Sequence, residues 1–262
     1  MRLEIISEKP ASTSRTVPLL FVHGMGLGAW CWSEHFLPYF SRHGYEAHAL
    51  SLRGHGGSEK VRNMRRVSLR DYVADVEEAV GRLGRPPVLV GHSMGGRVVQ
   101  KYLERRRPAG AVLMASVPPT GLMGATWRIF RRQPAAAIRG SLTMNMKPIV
   151  ETQHKFRELV FSEDVPEELL SSCYARLSQD SYRAYLEMLV PEIGKQEPAG
   201  VPMLVLGAGK DTIMSQEEVR KTGTRYGVEA EIFPDMPHGM MLEDGCLKVA
   251  DRIIRWLDSH GM

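Results

Sequence analysis

The 262-residue sequence predicts an α/β protein: a mostly parallel sheet with helices on both faces and a helical cap inserted into it. Three observations predict this class. Short apolar runs rich in branched residues alternate with helical stretches, the pattern of strands joined by crossover helices. The runs are apolar throughout, as parallel strands covered on both faces require. The alternation stops near residue 118 and resumes near residue 199, so a segment of different character is inserted between them.

The elements follow in order. Residues 17–22 read as a buried strand that stops at His23-Gly24. Residues 30–42 read as a helix with Gly44 as its stop, and residues 45–52 as the next strand. The loop Arg53-Gly54-His55-Gly56-Gly57-Ser58 comes after it. Leu69, Tyr72, Val73, Val76, Ala79, Val80 and Leu83 recur at three- and four-residue steps, an amphipathic helix with Ser68 as its N-cap. Residues 87–90 form a strand that runs straight into Gly91-His92-Ser93-Met94-Gly95-Gly96. A helix over 97–107 and a strand over 109–115 follow.

The insert is helical in flavour, carries Met123, Trp127, Phe130, Phe156, Phe161 and Tyr185, and reads as a cap. The sheet resumes with a strand at 202–206, a helix at 216–226 and a strand at 229–233. A last helix starts near Glu243 and buries Leu247, Ala250, Ile253, Ile254 and Leu257. The domains expected are therefore a core of residues 1–117 and 199–262, and a cap of residues 118–198.

Composition narrows the function classes. A chain with 43% hydrophobic and 24% charged residues can bury a core without a metal or disulfide to hold it together. The net charge is +4, with arginines grouped at 65–66, 105–107 and 131–132. A solvated surface accounts for them, because no nucleic-acid-binding module accompanies them. Attraction to acidic substrates or membrane surfaces stays open. Cys31, Cys173 and Cys246 lie far apart, with no zinc spacing, so reduced thiols and a cytoplasmic location are expected. No segment is long and apolar enough for a membrane span or a signal peptide.

The chemistry centres on Gly91-x-Ser93-x-Gly95, set between a strand and a helix. A serine on that turn is held in a strained conformation and stands proud of the sheet. The flanking glycines keep side chains out of the turn, and the following helix points its positive end at the serine. A serine hydroxyl needs a base. His238, in Pro237-His238-Gly239, follows a strand and so falls at the carboxyl edge of the sheet with Ser93. His55 reads as a turn residue, His23 as structural, and His92 as pointing to the far side of the turn.

An acid must hold the base in one tautomer. Asp211 follows the 202–206 strand at the same edge; Asp235 is its rival and reads as a turn residue. The backbone N–H groups of Met25, after the first apolar strand, and of Met94, directly after Ser93, are the expected oxyanion donors.

These residues carry a resemblance. His23-Gly24, Arg53-Gly54-His55-Gly56-x-Ser58, Gly91-His92-Ser93-Met94-Gly95-Gly96, Gly207-x-x-x-Asp211 and Pro237-His238-Gly239 resemble the α/β-hydrolase fold superfamily, in its serine esterase and lipase branch, over nearly the whole chain. Gly26-x-Gly28-Ala29-Trp30-Cys31-Trp32 is also similar to the plant methylesterase and hydroxynitrile-lyase group. The resemblance implies cleavage of a carboxylic ester, thioester or lactone of a small hydrophobic substrate, with no cofactor and no metal. Ser93 sets aside the members with an aspartate nucleophile. A cyanohydrin-type lyase, a cofactor-free perhydrolase and a small-ligand-binding member with little turnover stay open. Ser51 stands where many relatives have Asp, which is expected to alter loop bonding and not chemistry.

Overall fold

The computed structural model describes residues 1–11, 15–191 and 200–262. Seven strands make one sheet: β1 (Ile5–Glu8), β2 (Leu19–Val22), β3 (Ala47–Leu50), β4 (Val88–His92), β5 (Gly110–Met114), β6 (Met203–Ala208) and β7 (Ala230–Phe233). Their spatial order is β1-β3-β2-β4-β5-β6-β7. β1 runs antiparallel to β3, and all other pairs are parallel. This is the mostly parallel sheet, with helices on both faces, expected from the alternation. The N-terminal strand β1 is an addition: it is short and only partly buried, so it carries no continuous apolar run.

Side chains of one strand alternate between the two faces of the sheet. Leu19 and Phe21 of β2 pack into one half of the core, Leu20 and Val22 into the other. The first half is covered by α1 (Trp30–Ser33), α2 (Phe36–Arg42) and α11 (Cys246–Ser259), and Phe21 meets Trp32 there with ring centroids 4.9 Å apart. The second half is covered by α3 (Leu69–Leu83), α4 (Met94–Leu103) and α10 (Gln216–Arg225). Ser68 caps α3 in a reciprocal capping box: its Oγ accepts from the Asp71 N–H, and its own N–H donates to the Asp71 carboxylate.

Two helix expectations are corrected. The stretch 30–42 is not one helix but α1 and α2, with His35 breaking out of helical geometry at φ −132°. In α11 Leu247 does not belong to the buried face; it is exposed, and Val249 and Trp256 are buried with Ala250, Ile253 and Leu257. The reason is phase. α11 begins at Cys246, and at about 3.6 residues per turn Cys246, Val249, Ile253 and Trp256 centre its buried arc, with Leu247 falling just beyond the edge.

Between β5 and β6 the described residues are helical: α5 (Met123–Arg132), α6 (Pro134–Thr143), α7 (Gln153–Val160), α8 (Glu167–Ala175) and α9 (Tyr182–Leu189). The expected junction at 198/199 lies outside the described residues.

Candidate active site

The strands of a parallel sheet all end at one edge, and the loops leaving that edge meet. The loop after β2 carries Met25, the turn after β4 carries Ser93, and the loops after β6 and β7 carry Asp211 and His238.

Ser93 takes φ 51° and ψ −117°, in the positive-φ region that a side chain rarely adopts. Packing holds it there. A Cβ at Gly95 would stand 2.2 Å from the Val22 carbonyl oxygen, and one at Gly91 would stand 2.6 Å from the Gly95 carbonyl oxygen. The turn can therefore be this tight only with glycine at both places. Ser93 also has its N–H donating to Met114 O on β5, and its carbonyl accepting from Val117 N–H.

His238 Nδ1 lies 2.7 Å from Asp211 Oδ2. The other carboxylate oxygen of Asp211 accepts from the N–H groups of Ile213 and Met214, at 2.7 and 2.9 Å. That carboxylate is buried and anchored on both sides, so Nδ1 is the ring nitrogen that donates to it. Asp235, in contrast, is exposed and pairs with Lys210.

His92 does not point away from the site. Its Nε2 donates to the backbone carbonyl of His238 at 2.9 Å, and its ring packs against the His238 ring with centroids 4.8 Å apart. Full burial holds its pKa well below the usual imidazole value, with the neighbouring His238 adding to the effect. It is therefore a neutral strut between the serine turn and the histidine loop. The sequence alone cannot show this, because the partner is a backbone atom 146 residues away.

The loop after β2 is held from several sides. His23 Nδ1 donates to Gly24 O, and its Nε2 accepts from Leu52 N–H. Burial, with a smaller contribution from His55, lowers the His23 pKa to about 3, so it too is neutral. Gly26 N–H donates to Asp180 Oδ1 at 2.8 Å, and the same oxygen faces His55 Nε2 at 3.1 Å. His55 thus does more than form its turn, where Nδ1 meets Arg53 O. Asp180 was not among the residues the sequence singled out, for no motif surrounds it. Ser51 bonds within the loops: its Oγ accepts from Ala29 N–H and donates to Glu4 Oε2. Glu4 thereby brings a carboxylate to within hydrogen-bond reach of the Ser51 hydroxyl.

Met25, Ser93, His92 and His238 line one cavity of about 750 Å³ under the helical segment. Its walls are mainly apolar, among them Leu27, Ile129, Ile149, Phe156, Leu159 and Leu177. Met94 is the first residue of α4, where backbone N–H groups lack intrahelical acceptors, but its side chain is buried in the second half of the core. Among the described residues no three His, Cys, Asp or Glu side chains gather as metal ligands would.

The sequence profile of the alpha/beta hydrolase family matches residues 19–252, and the chain belongs to that family. Sequence relatives include a non-heme chloroperoxidase of Streptomyces lividans, 38% identical over 107 residues that cover 39% of this chain and 38% of that protein. A probable esterase of Oryza sativa subsp. indica is 34% identical over 137 residues, half of each chain. The chain thus spans half or less of the length of these relatives. Among solved structures, a thermophilic esterase from Thermogutta terrifontis superposes with a TM-score of 0.75 at 20% identity, covering 99% of this chain and 94% of the other. A bromoperoxidase from Bacillus anthracis gives 0.72 at 17% identity, covering 98% and 95%. The chain is an alpha/beta hydrolase with esterase-like and haloperoxidase-like kin.

Proposed function

We propose that this protein is a serine hydrolase that cleaves a carboxylic ester, thioester or lactone of a small hydrophobic substrate through an acyl-enzyme. The observation that carries the reading is the 2.7 Å contact of His238 with a doubly anchored Asp211, in the same cavity as a positive-φ Ser93. In this reading Ser93 Oγ attacks the carbonyl carbon while His238 Nε2 takes its proton, and Asp211 stabilises the imidazolium. The N–H groups of Met25 and Met94 hold the oxyanion, each contributing about 2.7–4 kcal/mol to the rate. Protonated His238 then gives its proton to the leaving oxygen. Water, deprotonated by the same nitrogen, releases the acid and restores the serine.

The apolar walls of the cavity support a hydrophobic acyl or alcohol group, and we read residues 118–198 as the cap that provides most of them. Three buried free cysteines suit a reducing, cytoplasmic setting, and no helix among the described residues is long and apolar enough to cross a membrane.

The test is turnover of a panel of short and long p-nitrophenyl esters, thioesters and lactones, beside fluorophosphonate labelling. Ser93→Ala should abolish labelling and lower turnover by about 10⁶-fold. A variant that hydrolyses these esters as fast as the parent overturns the assignment.

A second reading is favoured by the chloroperoxidase and bromoperoxidase among the similar proteins. Hydrogen peroxide in place of water would attack the same acyl-enzyme and release a peracid. Peracid formation from acetate and peroxide that outpaces ester hydrolysis would support it.

A further inference from the structure

Ten large apolar side chains stand exposed among the described residues, and six of them fall in one short stretch. Met123, Trp127 and Phe130 lie on α5, Ile138 and Leu142 on α6, and Met144 just beyond it. Steps of four and three residues put the first three on one face of α5, and a step of four does the same on α6. The Trp127 and Phe130 rings stack with centroids 5.6 Å apart and planes 14° apart. Phe130, Ile138 and Leu142 line a groove of about 250 Å³ between the two helices, so the two faces are continuous. Exposed apolar area gathered in this way marks a surface that meets something apolar.

Charge decides what that is. Residues 105–150 contain no Asp or Glu, while α5 and α6 bring Arg128, Arg131, Arg132 and Arg139. Arg128 is paired with Glu218 and Arg139 with Glu151. Arg131 and Arg132 are exposed at the end of α5, directly after Phe130, and meet no acid among the described residues. A second copy of this chain, docked symmetrically, would set these arginines against themselves. An anionic bilayer suits both features: aromatic and aliphatic groups enter the headgroup boundary while guanidiniums meet lipid phosphates.

We propose that the α5–α6 face docks this protein reversibly on an anionic phospholipid surface. The docked face lies beside the Ser93 cavity, because Thr126, Ile129, Met146, Ile149 and Tyr185 line both the groove and that cavity. Docking requires no turnover, so its test is independent of the serine mechanism.

The protein carries its own probe. Trp30, Trp32 and Trp256 are buried, and Trp127 is 60% exposed. Titration with vesicles of mixed phosphatidylglycerol and phosphatidylcholine at low salt should shift the tryptophan emission to the blue and co-sediment the protein. Vesicles of phosphatidylcholine alone, or high salt, should do neither. Trp127→Ala should weaken binding by at least about tenfold. Arg131→Gln and Arg132→Gln should each weaken it about fivefold. These side chains are exposed and lie outside the Ser93 cavity, so melting temperature and turnover of a soluble ester should stay at parent values. Absence of binding to the anionic vesicles overturns the proposal. So does binding that none of the three substitutions weakens, or sedimentation that shows a dimer abolished by Trp127→Ala.

Discussion

His92, the residue just before Ser93, donates from Nε2 to the backbone carbonyl of His238 at 2.9 Å. The proposed nucleophile and its proposed base are thus tied through neighbouring atoms, independently of any contact between their own side chains. Replacing His92 by Phe keeps a buried ring of similar shape but removes the donor. The His238 carbonyl then loses this hydrogen bond, at a cost of about 1–3 kcal/mol. Ester turnover should fall by about 10–100-fold, chiefly in kcat, because the base is displaced while the phenyl ring keeps the shape of the cavity wall. Steady-state kinetics beside a thermal melt check this; an unchanged kcat would show that the tie has no part in positioning His238.

The acid can be identified by comparing two aspartates. Asp211→Asn keeps the shape but no longer fixes Nδ1 as the donor, and kcat should drop by about 10⁴-fold if the serine-protease precedent carries over. Asp235→Asn should leave it within about twofold, since that side chain is exposed and pairs with Lys210 at the surface. Equal losses in the two variants would contradict the geometry at His238.

The buried neutral histidines predict an acid-sensitive fold. The folded pKa of His23 is about 3, against 6.5 for the free side chain. Above pH 6.5 both folded and unfolded states hold it neutral, and the stability is fully present. Between pH 6.5 and 3 the unfolded chain takes up a proton that the native state refuses, so stability falls as pH falls. His92, shifted in the same direction, adds to the loss. On going from pH 7.5 to 5, His23 alone should cost about 2 kcal/mol. Urea midpoints of the parent and of His23→Gln over that range measure it. The variant should be less stable at pH 7.5 but have the flatter profile.

Two glycines in helices should respond oppositely to alanine. At Gly95 the added Cβ would stand 2.2 Å from the Val22 carbonyl oxygen, a clash with backbone that only a shift of β2 or α4 can relieve. Gly95→Ala should destabilise by at least about 3 kcal/mol. At Gly81, inside α3, nothing lies within 4 Å of the added atom. Gly81→Ala should stabilise by about 0.5–1 kcal/mol, because alanine loses less backbone freedom in a helix. Melting temperatures of the two variants, moving in opposite directions, are the readout.

Where the structure departs from the sequence-based expectations, long-range contacts are responsible. Leu247 shares three- and four-residue spacing with the buried side chains of α11, but packing against the sheet centres the buried arc on Val249, Ile253 and Trp256 and leaves Leu247 outside it. β1 left little trace in the pattern, because a partly exposed edge strand needs no apolar run. Asp180 left none, since its partners Gly26 and His55 come from loops more than a hundred residues earlier.

The amino-acid sequence by itself determined the alternation that builds a parallel sheet, the glycine-flanked serine turn and the strand ends that carry Asp211 and His238. All of these follow from local periodicity and from steric needs within a few residues. Only the tertiary structure decided that His92 braces the histidine loop, that Asp180 holds Gly26, and that Arg131 and Arg132 stay exposed beside an apolar face whose other arginines are paired. Hydrogen bonds and packing between distant segments depend on where the chain returns in space, and no short window of residues contains that information.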